Sequence, residues 1–147
     1  MPIPPARPGL VFRYEYLWKS QALASRQNAE KDRPACIVLA VTRQSGDSRV
    51  LIVPITTQPP PAQLPAIEIP PKVIAHLGLD GARRSWIILS EANVDCWPSP
   101  DMRQIPGNPS RFEYGLLPLA LTNMLRSRVA EAVKAARIGL VDRDLAP

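Results

Sequence analysis

Two residues that together could hold a phosphate group stand at the ends of two apolar runs. Arg33 precedes the run at residues 36–43, and Thr56 follows the run at residues 49–55. In an antiparallel hairpin, the start of the first strand lies beside the end of the second. A guanidinium offers several fixed donors to phosphate and keeps its charge. The pattern therefore predicts that Arg33 and Thr56 meet at one sheet edge and form an active site.

Each of the two residues also has a structural explanation. An arginine at the start of a strand is commonly a solvated surface charge, and threonine is an ordinary strand residue. Arg33 precedes Pro34, which pushes it into an extended conformation. The interpretation as a site therefore depends on the two residues standing at matched ends of one hairpin, and not on either residue type alone.

The elements around this hairpin are mostly strands. Residues 10–18 alternate in a strand pattern that puts four aromatic residues, Phe12, Tyr14, Tyr16 and Trp18, on one face. Such a stripe could stack RNA bases, but the pattern favours packing in a core. The runs at 36–43 and 49–55 are nearly continuous in apolar residues and predict strands buried on both faces. Pro54 predicts a bulge or an edge in the second strand.

Two helices are predicted besides the strands. Residues 71–77 form a short helix that begins near Pro71 and is followed by Gly78. Residues 119–138 repeat their apolar side chains at helical spacing and predict an amphipathic C-terminal helix. We therefore expect an extended arm at residues 1–8 and one mainly β domain at residues 9–140, an α+β fold in which the strands form a small barrel that the last helix closes.

The composition of the 147-residue chain limits the classes of protein to which it can belong. The net charge of +5, from 18 basic and 13 acidic residues, favours polyanions such as RNA only moderately. A single histidine and two distant cysteines give no pattern for a zinc site or a disulfide. No run reaches the roughly 18 apolar residues of a membrane span, and the N-terminus lacks an apolar signal core. A cytoplasmic protein with no membrane contact, metal or cofactor is expected.

The order of motifs from residue 9 to residue 137 resembles the PemK/MazF family of type II toxin–antitoxin toxins. Arg-Pro opens one apolar strand, and the next strand ends in Pro-Ile-Thr-Thr. Ser-Trp-Ile-Ile-Leu-Ser-Glu-Ala-Asn, Trp-Pro and Tyr-Gly-Leu-Leu-Pro follow in order. The first strand lacks the family's Gly-Asp-Ile-Val-Trp pattern, the loop before Arg33 lacks Gly-x-Glu-Gln, and the helix at 70–78 is an insertion.

The resemblance implies an SH3-like barrel of the MazF/PemK/CcdB type, a homodimer, an antitoxin partner, and metal-independent cleavage of single-stranded RNA. Carried over to this chain, the family's site residues match Arg33, Thr56 and Glu91 as catalytic residues. The candidates for substrate binding are polar residues near them in the sequence or the loops: Lys31, Thr57, Gln58, Asn93 and Arg103.

Cleavage of this kind uses the neighbouring 2′-hydroxyl of RNA as the nucleophile, so DNA is not a substrate. Arg33 would balance the charge that grows on the phosphoryl oxygens. Thr56 would donate a hydrogen bond to the phosphate or hold the 2′-oxygen. Glu91 is the candidate base, provided that desolvation raises its pKa.

Two alternative functions use the same barrel. A domain that binds RNA without cleaving it is consistent with the departures in the first strand and its loop. A gyrase-poisoning toxin of the CcdB type would require a C-terminal Trp-Gly-Ile, whereas this sequence ends in Asp-Leu-Ala-Pro. Binding of RNA without cleavage, or trapping of gyrase in a supercoiling assay, would distinguish them.

Overall fold

An eight-stranded sheet and two helices make up the part of the chain that the computed structural model describes, residues 3–20, 32–108 and 110–143. The strands are β1 (Leu10–Tyr14), β2 (Arg33–Thr42), β3 (Ser48–Thr56), β4 (Ala66–Glu68), β5 (Trp86–Ile88), β6 (Glu91–Trp97), β7 (Glu113–Leu116) and β8 (Gly139–Asp142). The helices are α1 (Pro71–Leu77) and α2 (Leu119–Lys134).

The strands follow the order β4-β5-β3-β2-β1-β7, and β6 pairs with both β3 and β8. All pairings are antiparallel except that of β6 with β8. Within the described residues the sheet is open, because no pairing joins β4 to β7. The prediction of a mainly β fold with a C-terminal helix is confirmed. No helix in the same residues is both long and apolar enough to cross a bilayer.

The β2–β3 hairpin lies at the centre of this sheet. Pro54 falls at a gap in the pairing of β3, because Ser48 to Ile52 pair with β6 whereas Ile55 and Thr56 pair with β5. A residue without an N–H group is tolerated there, since no partner on that side requires its donor. The register shift in the hairpin lies elsewhere, in β2 between Ile37 and Leu39.

Hydrophobic clusters cover both faces of the sheet. One cluster contains Cys36, Val53 and Ile55 together with α1 and α2 side chains, and the other contains the aromatic residues of β1. We call the second side of the sheet the aromatic face. The prediction that β2 is buried throughout on both faces is wrong, because Leu39 and Val41 are 45% and 50% exposed. Leu39 and residues 41–49 of the hairpin belong to neither cluster.

The aromatic stripe of the first strand is core, as the sequence pattern favoured. Phe12, Tyr14 and Tyr16 have no exposed surface. Neighbouring rings contact one another edge to face or tilted, with centroids 5.4 Å apart for Phe12 and Tyr14 and 6.4 Å apart for Tyr14 and Tyr16. The strand itself is shorter than predicted and ends at Tyr14.

The C-terminal helix is also shorter than the predicted 119–138, because it ends at Lys134. Ala136 adopts a left-handed conformation with φ of 54°, and its N–H donates to the Val133 carbonyl, which ends the helix. The chain then forms β8, which pairs parallel to β6 and aligns Gly139 with Glu91. The sheet therefore extends to Asp142 at the C-terminal end of the described residues.

Candidate active site

The register of the β2–β3 hairpin aligns the two residues that the sequence singled out. Ala35 pairs with Pro54 and Cys36 with Val53, so the same register continued by two residues sets Arg33 opposite Thr56. Ala35 belongs to the cluster on the aromatic face. Because side chains alternate along a strand, Arg33 and Thr56 both point to that face. The two residues therefore share one face at the end of two central strands, and not at an edge of the sheet as predicted, because β1 pairs with β2 and β5 with β3.

Arg33 lies half-buried at the start of β2. Its guanidinium carbon is 4.9 Å from the centroid of the Trp18 ring, close enough for a cation–π interaction. Trp18 in turn packs edge to face on Tyr16, with the centroids 5.2 Å apart. Stacking of this kind holds a long side chain in one orientation, so the ring fixes where the charge is presented.

Thr56 is the last residue of β3 and is 8% exposed. Its hydroxyl oxygen accepts a hydrogen bond of 3.1 Å from the backbone N–H of Gln58, which closes the turn after the strand. In the described part of the chain the hydroxyl donates to no acceptor. Since a hydroxyl can donate one bond while it accepts another, its proton is available to a bound phosphate.

Glu91 begins β6 and lies on the aromatic face as well. Its Oε1 accepts hydrogen bonds from the Tyr16 hydroxyl at 3.2 Å and from the Lys19 backbone N–H at 2.8 Å. Burial raises the pKa of the Glu91 carboxyl, although both of these donors act in the opposite direction. Over the described residues no donor reaches Oε2, so this oxygen can accept a proton.

These contacts connect Arg33 to Glu91 through Trp18 and Tyr16, with Thr56 opposite Arg33 across the hairpin. We call Arg33, Thr56 and Glu91 the Arg33–Thr56 site. It presents a fixed cation, a hydroxyl donor and a carboxyl with a raised pKa on one face of the sheet. In residues 3–20, 32–108 and 110–143, no three His, Cys, Asp or Glu side chains cluster as metal ligands would.

The amide of Asn93 and the guanidinium of Arg103, both predicted to bind substrate, make bonds within the protein. The buried Asn93 amide accepts from the Leu17 N–H at 2.9 Å and donates to the Leu17 carbonyl at 2.8 Å. Arg103 pairs with Glu15 and donates to the Pro100 carbonyl. These bonds attach β6 and the loop at 99–103 to the segment that follows β1, so they explain both residues structurally.

The other predicted substrate contacts have different positions. Thr57 follows Thr56 and therefore points to the opposite face of the sheet, where it lines a cavity. Gln58 is exposed and contributes its N–H to Thr56. Lys31 lies outside the residues that the structure describes.

A polar network at the same end of the sheet was not predicted. Nε of Arg13 donates to the Asp32 carboxylate at 2.6 Å, and Nη1 of Arg13 donates to the Tyr114 hydroxyl at 3.2 Å. Although burial opposes it, the bond from Arg13 lowers the pKa of Asp32. Arg13 and Tyr114 also line the cavity that contains Thr57. Because these partners are 19 and 101 residues apart, no local pattern could have linked them.

Comparison with known proteins assigns the chain to no family. No protein-family model matches the chain, and no curated protein matches it. The side chains of the Arg33–Thr56 site, and the chemistry that such groups perform, are therefore the basis for proposing a function.

Proposed function

We propose that this protein is an endoribonuclease that cleaves single-stranded RNA without a metal or cofactor, and that it is the toxin of a type II toxin–antitoxin pair. The observation that carries the proposal is the hairpin register that sets Arg33 opposite Thr56 on the aromatic face. The motif order that resembles the PemK/MazF family supports the same activity. The net charge of +5 suits an RNA ligand.

Arg33 supplies the charge that the reaction requires. When the 2′-oxygen attacks phosphorus, negative charge grows on the two non-bridging oxygens, and fixed positive donors aimed at them stabilise the transition state. A guanidinium suits this task because its donors are planar and it stays protonated at any physiological pH. Trp18 holds the group in place before substrate binds, which lowers the cost of ordering it.

Thr56 and Glu91 complete the chemistry. The Thr56 hydroxyl, already held by Gln58, donates its proton to a phosphate oxygen or to the 2′-oxygen. Glu91 takes the proton of the 2′-hydroxyl on Oε2, for which its raised pKa makes it a stronger base than an exposed carboxylate. The new bond joins the 2′-oxygen to phosphorus, and the bond to the 5′-oxygen breaks. The leaving 5′-oxygen takes a proton from water, so the products are a 2′,3′-cyclic phosphate and a 5′-hydroxyl end.

The same proposal includes a specific type of fold. We interpret the sheet and its C-terminal helix as an SH3-like barrel of the MazF/PemK/CcdB type. The antiparallel order of β1, β2 and β3, with β5 and β6 both paired to β3, supports this interpretation. A homodimer that is silenced by an antitoxin is proposed with it.

The test is cleavage of end-labelled single-stranded RNA by the full chain in the presence of a chelator. Arg33→Ala should lower the rate about 10²–10³-fold, the loss typical when one charge-stabilising donor is removed. Thr56→Val should also slow cleavage. Arg43→Ala is the matched control, because this exposed arginine sits at the opposite end of the same hairpin, beside Asp47.

Circular dichroism and thermal unfolding should show that the variants keep the fold. Identification of cyclic-phosphate ends would support the 2′-hydroxyl route, and an oligomer with one 2′-deoxynucleotide at the cleaved position should resist cleavage. If folded Arg33→Ala cleaved RNA as fast as the wild type, the site assignment would be wrong.

A second candidate function is binding of RNA without cleavage. The low exposure of Thr56 favours it, because a hydroxyl that is 8% exposed reaches a phosphate less readily than a surface group does. In that case the wild type would retain labelled RNA in a filter-binding assay and leave it intact, and Arg33→Ala would weaken the retention.

A further inference from the structure

A cavity of about 380 Å³ lies at the same end of the sheet as the Arg33–Thr56 site, but on the opposite face. Pro34 and Thr57 line it, and each of them is the chain neighbour of one residue of that site. Helix α1 leads into the cavity wall through Gly78 and Leu79. Because β3 ends at Thr56, the site and the cavity lie on the two sides of the same end of the sheet.

The cavity contains hydroxyl groups with unused hydrogen-bonding capacity. Ser85 is 3% exposed, and its hydroxyl makes no hydrogen bond within the described ranges. The Tyr114 hydroxyl accepts from Arg13 and keeps its own proton to donate. Thr57 adds a third hydroxyl. The Ser85 hydroxyl lines the cavity and has no partner in the described ranges, so it can bond to a ligand without breaking a bond of the fold.

The charges around the cavity favour a neutral ligand over an anion. The guanidinium of Arg13 is paired with the Asp32 carboxylate at 2.6 Å. Asp80, which is exposed at the cavity lining, is paired with Arg83 at 4.0 Å, so the cavity has little net charge. The remaining walls are largely apolar, formed by Ile55, Leu79 and Ile105 among others. Apolar walls with a few hydroxyls that both donate and accept suit a planar heteroaromatic ring.

We propose that this cavity receives a nucleobase of the RNA strand, from a nucleotide next to the phosphate at Arg33 and Thr56. This inference rests on the proposed function. The volume lies at the small end of ligand sites, which run from roughly 300 to 1,000 Å³, and suits one base rather than a longer ligand. The phosphate binds on the aromatic face and the base on the other, so the cavity determines which base neighbours the cleaved bond.

Ser85 and Tyr114 are the specificity residues in this proposal. Ser85→Ala and Tyr114→Phe each remove one hydroxyl and little volume, so the fold should persist. We expect each variant to reduce the preference for one base at one position of a randomised RNA by about tenfold, because a site built to bond a polar group discriminates through that bond. Ser45→Ala, in the exposed turn of the β2–β3 hairpin, is the matched control and should leave the base profile unchanged.

A binding measurement separates this inference from the proposed function. The four ribonucleoside 5′-monophosphates are titrated into the full chain, and backbone amide signals are followed by NMR. We expect one of them to shift the signals of Leu79 and Ser85 in the wild type and, at higher concentration, in Arg33→Ala, because the base contacts remain when the phosphate contact is lost. This would support a base site even if the protein cleaved no RNA.

The opposite results would overturn the base site. If the wild type cleaved RNA while Ser85→Ala and Tyr114→Phe kept its base profile, the cavity would not read a base, although the cleavage activity would stand. Amide shifts of Leu79 and Ser85 with an acidic peptide, and with none of the nucleotides, would assign the cavity to a protein partner instead.

Discussion

Glu91 is the base in the proposed chemistry, but its charged carboxylate destabilises the fold. Burial raises the pKa of its carboxyl, so the folded chain disfavours the charged form that a general base requires. Between the ordinary value of about 4.5 and the raised folded value, the folded chain binds more protons than the unfolded chain. Stability therefore falls as the pH rises through this interval.

We predict that Glu91→Gln stabilises the protein at neutral pH while it slows RNA cleavage about 10²–10⁴-fold, the range for loss of a general base. The amide oxygen can still accept the bonds from Tyr16 and Lys19, so the site should keep its shape. Thermal unfolding between pH 4 and pH 8 is the measurement.

The gain in stability should disappear below the ordinary carboxyl pKa, where wild-type Glu91 is also neutral. Glu131→Gln, on an exposed position of α2, serves as the control and should show neither effect. A Glu91→Gln variant that unfolds at a lower temperature than the wild type at pH 7 would contradict the raised pKa.

At the scale of elements, Gly9 joins the first strand to the C-terminal helix. Its N–H donates to the Ile37 carbonyl at 2.7 Å, and its carbonyl accepts from the Leu117 N–H at 2.9 Å. Its φ is +90°, a conformation that glycine adopts without strain. A Cβ added here would lie 2.5 Å from the Thr122 hydroxyl oxygen, on the first turns of α2. Close packing of α2 on this corner therefore requires glycine.

We predict that Gly9→Ala destabilises the protein more than Gly46→Ala does. Gly46 has nearly the same φ, +89°, but no atom lies within 4 Å of the added Cβ. Gly46→Ala should therefore cost only the backbone strain, about 1–2 kcal/mol. Gly9→Ala should cost about 1–3 kcal/mol more because of the overlap with Thr122.

Urea unfolding of the two variants measures this difference in free energy. Combining Gly9→Ala with Thr122→Ala should recover part of it, because the overlapping oxygen is removed. Equal losses for Gly9→Ala and Gly46→Ala would show that α2 does not pack on this corner as described.

At the scale of the whole molecule, an apolar groove crosses the outer half of the hairpin and α2. Leu39 and Val133 line it and are 45% and 51% exposed, and Val38, Leu51 and Val129 form its floor. The groove encloses about 540 Å³. Exposed apolar side chains gathered in this way are typical of a protein interface. In the homodimer that we propose, this surface is where a second copy would bind.

We predict that the combined change Leu39→Glu and Val133→Glu weakens the dimer at least tenfold, because it would place unpaired charges at the centre of the interface. Light scattering behind size exclusion, over a range of protein concentrations, measures the association. Leu119→Glu is the control, since Leu119 is 75% exposed at the other end of α2. A wild type that stays monomeric at every concentration, or a double variant that still dimerises, would count against this interface.

The local patterns in the sequence were enough to predict the two strands of the hairpin and the alignment of Arg33 with Thr56 across it. Apolar runs joined by a short turn specify an antiparallel pair, and the register of that pair then sets Arg33 opposite Thr56. Alternation along β1 likewise predicted the buried aromatic face. These features depend on residues close in the chain or on side-chain periodicity, which is why they could be read without a structure.

Tertiary structure alone decided what surrounds those residues. Tyr16 and Lys19 bond to Glu91 across 75 and 72 residues, and β8 aligns with β6 from the far end of the chain. The exposure of Leu39, the pairing of Arg13 with Tyr114 and the cavity beside Thr57 arise in the same way. Burial, pKa and the shape of a cavity are properties of neighbours in space, and distant segments supply those neighbours only after they have packed together.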